Sequence, residues 1–224
     1  MSPPPYPRVP HLVAGRGSRD DLVLGSDERD ALLAGPVVVE EKLDGANVVV
    51  WRLGWEVKVA LRSGEGGADR AGQLGPLRRW AAERGDALRT LLADGDALYA
   101  EWLLLTHTVA YDRLPAYLVA LDLWHESRGF VALSERDVRC AAAGIAVVPE
   151  MWRGTPRVVG TVEGLITTSA YGDRPAEGVI VRAAGAQPVR LAKLIRPGFV
   201  RIGDDAWSAP RPRNRLADRE ASWH

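Results

Sequence analysis

The sequence contains very little cysteine and no excess of charge of either sign. Its one cysteine, Cys140, excludes an intramolecular disulfide framework and a zinc site built from several cysteines, and it suits a reducing cytoplasm. Lysine plus arginine and aspartate plus glutamate both number 29, so the chain lacks the overall positive field that is typical of nucleic-acid-binding proteins. A nucleic-acid partner would therefore have to bind a local basic patch.

Targeting and membrane-spanning segments are also lacking. Residues 1–10 are rich in proline and contain no apolar stretch of the kind found in a secretory signal. No apolar run approaches the roughly 20 residues that a membrane-spanning helix requires. With 46% hydrophobic residues in 224 positions, the chain is long enough to bury one substantial core. We therefore expect a soluble, cytoplasmic protein without a membrane partner.

Hydrophobic patterning predicts many short strands and fewer helices. Strands are predicted over residues 37–40, 46–52, 56–61, 97–105, 116–124, 129–133, 178–183 and 188–195. Helices are predicted over residues 27–33, with Ser26 as the N-cap, over 74–92 with an interruption, over 134–143 after a capping box, and over 158–169. Strands in hairpin-like pairs indicate an α+β fold with mainly antiparallel sheets flanked by helices. The predicted domain covers residues 1–200, beginning with an irregular arm, and residues 201–224 are predicted to form a short arginine-containing tail.

A lysine crowded by carboxylates lies between two predicted strands, in the segment Glu40-Glu41-Lys42-Leu43-Asp44-Gly45-Ala46-Asn47. Alone, this segment carries little weight, because Asp-Gly is a common hairpin turn. Four further charged segments follow it in the chain: Arg62-Ser63, Glu101 within a strand, Glu177 to Arg182, and Lys193 within the last strand. Each of them alone has a plain interpretation as a solvated edge residue. Charged residues within apolar strands are unfavourable unless they are paired or face a ligand, so the five segments together favour a site.

These five segments resemble, in order, the five motifs of the covalent nucleotidyltransferases, which are the ATP-dependent DNA and RNA ligases and the mRNA capping enzymes. They span Glu41 to Lys193. Within this superfamily the chain is similar to the RNA ligases, because Asn47 stands where DNA ligases and capping enzymes usually carry arginine. The resemblance implies a nucleotidyltransferase (adenylation) domain and an ATP-dependent RNA ligase that acts in RNA repair.

The resemblance also implies a reaction in three steps. A lysine amine attacks the α-phosphorus of ATP to form lysyl-AMP, the AMP moves to a 5′-phosphate end, and a 3′-hydroxyl then displaces the AMP and seals the strand. A lysine attacks only when deprotonated, which burial and neighbouring cations favour. A second lysine and Mg²⁺ or Mn²⁺ would offset the charge on the phosphate in the transition state. Because these metals prefer oxygen ligands, carboxylates are expected to hold them.

The first motif, transferred by resemblance, contributes five residues. Lys42 is the nucleophile, and Glu41 lies beside the adenine. Asp44 and Gly45 shape the nucleophile turn, with Asp44 orienting Lys42 or the metal. Asn47 contacts phosphate or the water shell of the metal.

The later motifs contribute four more residues. By the same resemblance, Arg62 would bind the AMP ribose or the 3′-hydroxyl end, and Glu101 would accept a hydrogen bond from a ribose hydroxyl. Glu177 is the predicted metal ligand. Lys193 would contact the α-phosphate and act with Lys42 in catalysis.

Two positions depart from the family pattern. Leu121 stands where the family normally offers an aromatic ring to stack on the adenine, so the resemblance implies weaker stacking and puts nucleotide selectivity in doubt. Leu191 stands at the first position of the usual Lys-x-Lys of the last motif. After Lys193 the sequence is too short for the OB-fold domain of DNA ligases and capping enzymes. Capture of nucleic acid is therefore expected to depend on this domain, on the arginines between Arg211 and Arg219, or on a partner protein.

The tryptophans invite a base-stacking interpretation. Four of them lie within apolar patterns and are predicted to be core residues: Trp51, Trp80, Trp102 and Trp124. Trp207, in the predicted tail, is the freer candidate for contact with nucleic acid.

Four functions remain open from the sequence. The leading one is an ATP-dependent RNA ligase whose substrate is RNA in a nicked duplex or an RNA/DNA hybrid. The second is a minimal DNA nick ligase, which Asn47 disfavours. The third is an adenylyltransferase that acts on a different acceptor. The fourth is a nucleotide-binding subunit without catalysis, an alternative that Leu121 and Leu191 keep open.

Overall fold

The computed structural model describes residues 3–15, 22–61, 72–185, 190–200 and 211–218. The chain divides into two compact units, each assembled from separate stretches of sequence. The first unit comprises Met1–Tyr6, Asp44–Val147 and Ile202–His224, and the second comprises Pro7–Leu43 and Val148–Arg201. The separate prediction of a domain over 1–200 and a tail over 201–224 stays a prediction.

The helices and strands follow one another as α1 (Ser26–Ala34), β1 (Val37–Lys42), β2 (Ala46–Leu53), β3 (Glu56–Leu61), α2 (Leu74–Glu83), α3 (Gly85–Leu91), β4 (Ala97–Trp102), β5 (Leu118–His125), β6 (Gly129–Phe130), α4 (Leu133–Ala142), β7 (Ala146–Val147), β8 (Glu150–Gly154), α5 (Val159–Glu163), β9 (Gly178–Ala183) and β10 (Leu191–Ile195). All pairings between these strands are antiparallel except the parallel pairing of β5 with β7. The prediction of an α+β fold with mainly antiparallel sheets is therefore confirmed. None of the helices in the described ranges is both long and apolar enough to cross a membrane.

The second unit is built on a four-stranded sheet in the order β10-β9-β1-β8. One face of this sheet is apolar and packs against α1, α5 and the segment around Leu12. The core on this face consists of Leu12, Leu32, Leu33, Val37, Val39, Val162, Val179, Val181, Ala192 and Leu194. Successive side chains of a strand point to opposite faces, so the residues between these apolar ones project from the other face of the sheet.

The first unit is built on a sheet in the order β3-β2-β4-β5-β6, with β7 added beside β5. Helices α2, α3 and α4 supply Trp80, Leu88 and Cys140 to the main core, where they meet strand residues such as Val50 and Trp102. A smaller cluster around Trp51 and Tyr99 covers the other face. Three of the four predicted core tryptophans are buried, and Trp124 is partly buried.

Two predicted helix starts are wrong. Helix α1 has Gly25 rather than Ser26 as its N-cap, because the Glu28 carboxylate accepts a hydrogen bond from the backbone N–H of Gly25 at 3.1 Å. Helix α4 begins at Leu133 with Ala132 as its N-cap, so Ser134 lies inside the helix. The helix predicted over 158–169 ends at Glu163, and β7 and β8 were not predicted.

Candidate active site

Two lysines share one face of the sheet in the second unit. Lys42 ends β1 opposite Gly178 of β9, and Lys193 of β10 is opposite Ile180 of the same strand. Directly opposite residues project to the same face, as do residues two apart in one strand. Lys42 and Lys193 therefore lie on the face of the sheet that points away from the apolar core.

Lys42 forms an ion pair with a buried carboxylate. Its Nζ donates a hydrogen bond to Glu177 Oε2 at 2.7 Å, and the Lys42 side chain is 16% exposed while Glu177 is fully buried. The Glu177 backbone carbonyl accepts the N–H of Arg196 at 3.0 Å. Glu177 directly precedes Gly178, the residue opposite Lys42 in the ladder. Strand pairing thus brings together a lysine and a carboxylate that are 135 residues apart in the sequence.

Gly178 is required by the close approach of β10. A Cβ atom at this position would lie 2.1 Å from the backbone oxygen of Leu194 and 2.9 Å from Cα of Ile195. No side chain fits there without moving one of the two strands. The backbone beside the Lys42–Glu177 pair is therefore fixed by tight packing between strands.

A second ion pair lies on the same face of this sheet. Arg182 donates to Glu40 Oε2 at 3.1 Å, and both side chains are almost fully buried. Glu40 is two residues before Lys42 in β1, and Arg182 is opposite Val38. A buried pair of this kind is expensive to break from one side, because the remaining charge stays in a poorly solvated place. The sequence places Arg182 at the end of a charged segment but indicates no role for it.

Glu41 is buried and holds a turn. Ser169 Oγ donates to its Oε1 at 2.5 Å, and the backbone N–H of Ala170 donates to its Oε2 at 2.9 Å. Burial raises the pKa of Glu41 above its ordinary value, and these two hydrogen bonds oppose that shift. The pKa of Tyr171 is also raised, by burial and by the nearby charge of Glu41. The predicted position of Glu41 beside the adenine stays a prediction.

Asp44 organises a loop of the first unit. Its Oδ2 accepts the backbone N–H groups of Thr108 at 2.6 Å and Val109 at 2.7 Å. Its own N–H donates to the Tyr111 hydroxyl at 2.8 Å. Asp44 is buried. These contacts give Asp44 a structural role in its own unit, whereas the predicted role toward Lys42 or a metal stays a prediction.

Gly45, Asn47 and Glu101 lie together in the first unit. The backbone N–H of Gly45 donates to Glu101 Oε1 at 3.0 Å. A Cβ at Gly45 would lie 2.6 Å from the backbone oxygen of Trp102, so only glycine fits. Asn47 of β2 is directly opposite Glu101 of β4, which puts both side chains on the same face of the sheet. The predicted group of a turn glycine, an amide and a carboxylate is thus adjacent in space.

Leu121 occupies a β-bulge in the same sheet. The ladder between β4 and β5 pairs Tyr99 with Asp122 and Ala100 with Ala120, which leaves Leu121 as the extra residue. Its backbone oxygen accepts a hydrogen bond from Arg136 at 2.7 Å. Leu121 is partly buried. Its predicted contact with the adenine stays a prediction.

Asn214 is a structural residue that the sequence analysis missed. Its Nδ2 donates to the Leu103 carbonyl at 2.8 Å. Its Oδ1 accepts the Thr106 hydroxyl at 2.8 Å and the backbone N–H of Tyr111 at 2.9 Å. Residues 211–218 are thereby attached to the same loop that Asp44 holds. A single asparagine in an arginine-rich segment leaves no periodic signal in the sequence, so it was not detectable there.

The predictions for Arg62, Trp207 and the metal ligand Glu177 stay predictions. Arg62 and Trp207 lie outside the described residues. In the parts of the chain that the structure describes, no group of three or more His, Cys, Asp or Glu side chains is arranged to hold a metal ion. Glu177 remains the predicted metal ligand as a single carboxylate beside Lys42.

Solved structures similar to this chain include ligases. The RNA ligase of Naegleria gruberi with pyrophosphate is 15% identical, with a TM-score of 0.58 over 87% of this chain and 61% of that chain. A lysine-to-alanine mutant of the Naegleria ligase with ATP and Mn is 15% identical, with a TM-score of 0.56 over 73% of this chain and 50% of that one. An Aquifex aeolicus protein provisionally assigned as an ATP-dependent DNA ligase is 16% identical, with a TM-score of 0.52 over 85% of this chain and 49% of that chain.

At these identities the likeness establishes the fold, which is that of ATP-dependent ligase nucleotidyltransferase domains. The chain spans about half to three fifths of the length of the solved ligases that it matches. Among curated protein sequences, none matches the chain at a significant level. A family model for RNA ligase matches residues 35–195, which is more than half of the sequence. The chain therefore belongs to the RNA ligase family.

Proposed function

We propose that the protein is an ATP-dependent RNA ligase that forms lysyl-AMP on Lys42, transfers the AMP to a 5′-phosphate end and seals that end to a 3′-hydroxyl. The single observation that carries the proposal is the sheet face that holds Lys42, its buried partner Glu177 and Lys193. Membership of the RNA ligase family supports the same reaction class.

Lysine usage supports the assignment of the nucleophile. The chain has 29 basic residues, but only three of them are lysines, namely Lys42, Lys58 and Lys193. Arginine cannot be deprotonated in proteins, whereas a lysine amine can lose its proton and act as a nucleophile. Where this chain needs only positive charge, it almost always has arginine. A lysine therefore indicates a position where the reactivity of the amine is needed. Two of the three lysines lie on the face proposed to bind the nucleotide.

In the first step, the Lys42 nitrogen attacks the α-phosphorus of ATP and loses a proton to water. The bond from that phosphorus to the β-phosphate oxygen breaks, and pyrophosphate leaves. Glu177 holds the Lys42 amine at a fixed position before the nucleotide arrives. Lys193 stabilises the negative charge that develops on the α-phosphate. The AMP then passes to an oxygen of the 5′-phosphate, and attack by a 3′-hydroxyl on that phosphorus releases it.

The remaining nucleotide contacts are proposed from the family motifs, with Glu41 beside the adenine. Glu101 accepts a hydrogen bond from a ribose hydroxyl, and Asn47 contacts phosphate from the same sheet face. Gly45 allows the close backbone approach that brings these side chains together. Leu121 covers the adenine by dispersion contact rather than by aromatic stacking.

Mg²⁺ or Mn²⁺ fits this site as a companion of the nucleotide. Such ions are commonly held by one or two carboxylates together with substrate phosphates and water. Glu177 is the carboxylate proposed to contribute, and the described residues contain no larger ligand cluster. When bound, the ion supplies positive charge that neutralises the phosphates. A relative in the same fold has been solved with ATP and Mn.

Sealing assays test the function. The protein is incubated with ATP, Mg²⁺ or Mn²⁺ and matched nicked substrates made of RNA, of DNA or of an RNA/DNA hybrid. We expect sealing of the substrates with RNA at the nick, no sealing and no AMP uptake by Lys42→Ala, and normal AMP uptake by Lys58→Ala, which removes a lysine outside the proposed nucleotide site. Sealing of DNA alone favours the nick DNA ligase, and AMP uptake without sealing favours an adenylyltransferase with another acceptor. Normal sealing by Lys42→Ala would refute the proposed nucleophile.

A further inference from the structure

A groove in the first unit is lined by three basic side chains. It has a volume of about 590 Å³ and lies against strand β3 and helices α2 and α3. Its charged lining residues are Lys58, Arg78 and Arg89, and the apolar ones include Val59 and Ala81. We infer that this basic groove binds the sugar–phosphate backbone of the polynucleotide substrate, an inference that rests on the proposed ligase function and names where that substrate is held.

The charge around the basic groove is locally positive although the chain as a whole is neutral. The residues that line the groove include three cations and no carboxylate. Two of these cations have an acidic partner outside the lining, since Glu56 lies 3.6 Å from Lys58 Nζ and Asp86 lies 2.6 Å from Arg89 Nη2. The side chains of Arg78 and Lys58 are exposed enough to reach a ligand. Phosphate neutralisation by such side chains supplies most of the non-specific affinity for nucleic acid. This region is the kind of local basic patch that a neutral nucleic-acid-binding chain needs.

One wall of the basic groove is rigid. The Arg89 guanidinium lies over Gly85, where an added Cβ would be 3.1 Å from its Nη1, and Asp86 accepts its Nη2 at 2.6 Å. Arg52 donates from Nη1 to the backbone carbonyls of Arg89 and Leu92, each at 3.0 Å. These contacts fix the end of α3 and the direction of the Arg89 side chain. A positioned guanidinium loses less conformational entropy when it binds phosphate.

An exposed aromatic ring lies at the tip of the β2–β3 hairpin, whose strand β3 lines the groove, while the ring itself is not part of the lining. Trp55 is at the tip of the β2–β3 hairpin and is 82% exposed, and Arg52 lies 5.9 Å from its ring centre. Exposed aromatic rings next to basic grooves stack on bases in proteins that bind single strands or strand ends. Cations alone would also suit an acidic protein, but cations together with this ring favour a polynucleotide. The volume of the groove is within the usual range for a nucleotide-sized occupant.

The test compares two double variants that remove the same amount of charge. Lys58→Ala/Arg78→Ala removes two cations that line the basic groove. Arg79→Ala/Arg84→Ala removes two exposed cations that do not line it, one in α2 and one between α2 and α3. Binding of a fluorescent nicked RNA duplex with a 5′-hydroxyl at the nick, which blocks sealing, is measured by anisotropy at several salt concentrations. Thermal unfolding checks that both variants fold.

The groove variant is expected to bind about tenfold more weakly and to lower the slope of log K against log salt by about 1.5, since each phosphate contact contributes roughly 0.7–0.9. The charge-matched control should stay within about twofold. Trp55→Ala should bind the RNA at least about fivefold more weakly. The slope of log K against log salt should not change, because stacking releases no counterion. Equal effects of the two double variants, or no RNA binding by the unaltered protein at low salt, would overturn the inference.

A failure of the groove assignment can be distinguished from a failure of the proposed ligase function. AMP uptake from labelled ATP is measured on the same samples, and the groove variant should retain it. If no lysyl-AMP forms in any sample, the proposed ligase function fails whatever the RNA-binding data show. If lysyl-AMP forms normally but the groove variant and its control bind RNA alike, the groove assignment alone fails.

Discussion

Replacing Gly178 with alanine should damage both the stability of the protein and its reaction with ATP. The added Cβ would lie 2.1 Å from the Leu194 oxygen, whereas ordinary contacts begin near 3.4 Å, and both obstructing groups are strand backbone rather than a flexible side chain. Strands β9 and β10 would have to separate by about 1 Å at this point, and overpacking of this kind costs about 3 kcal/mol of unfolding free energy. The same displacement moves Glu177 relative to Lys42, since Glu177 directly precedes Gly178.

Urea unfolding measures the stability change, and uptake of labelled AMP below the unfolding transition measures the effect on the site. Gly160→Ala is the matched control in the same unit, because Gly160 lies in α5 and, apart from its chain neighbours and the backbone of its own helix, nothing is within 4 Å of its added Cβ. The control should be unchanged or about 0.5 kcal/mol more stable. Unfolding of Gly178→Ala at the wild-type urea concentration would refute the packing argument. Wild-type AMP uptake by a destabilised Gly178→Ala protein would show that the spacing between the strands does not govern the site.

Three further changes have outcomes that unfolding experiments can check. Asp44→Ala removes the acceptor of two backbone N–H groups and should lower stability by about 2–3 kcal/mol, whereas Asp112→Ala, at an exposed ion pair, should change it by less than about 0.5. Asn214→Ala should lower the free energy of unfolding by about 3 kcal/mol, because it leaves several buried groups unsatisfied. Arg215→Ala, at the next and exposed residue, should be nearly neutral. Equal effects of the two changes would refute the proposed role of the Asn214 amide. Burial raises the pKa of Glu41, so its contribution to stability is present at acidic pH and is lost as pH rises through the folded-state pKa. The stability difference between wild type and Glu41→Gln should therefore fall with increasing pH, and a difference that grows with pH would contradict this sign.

The sequence predicted strands well where turn residues and apolar runs define both ends. Strands β3 and β9 have the predicted bounds, and the predicted interruption in 74–92 is the break between α2 and α3. Strand β8 was not predicted because Glu150 and Arg153 interrupt the apolar pattern that indicates a strand. In the structure these two side chains pair with each other at 2.6 Å. The partner of β8 in the sheet, β1, is also far away in the chain, so local sequence gives no sign of the pairing.

The site could be predicted only as a set of residue types in order. Resemblance to family motifs selected Lys42 and Glu177, but the 2.7 Å contact between them depends on strand register that the sequence does not display. Side-chain-to-backbone bonds such as those of Asp44 and Asn214 have no periodicity, so sequence patterns do not reveal them. The basic groove was also not foreseen, because its three basic residues come from β3, α2 and α3 and converge only in the folded unit.

The most direct test of the proposed function is the mass of the intact protein after incubation with ATP and Mg²⁺ or Mn²⁺. Because the chain has only three lysines, arginine can replace each in turn while keeping the positive charge. The account predicts a gain of one AMP in the wild type and in Lys58→Arg, a reduced gain in Lys193→Arg and no gain in Lys42→Arg, with the modified peptide containing Lys42. An AMP adduct on Lys42→Arg, or no adduct on the wild-type protein with either metal, would contradict it.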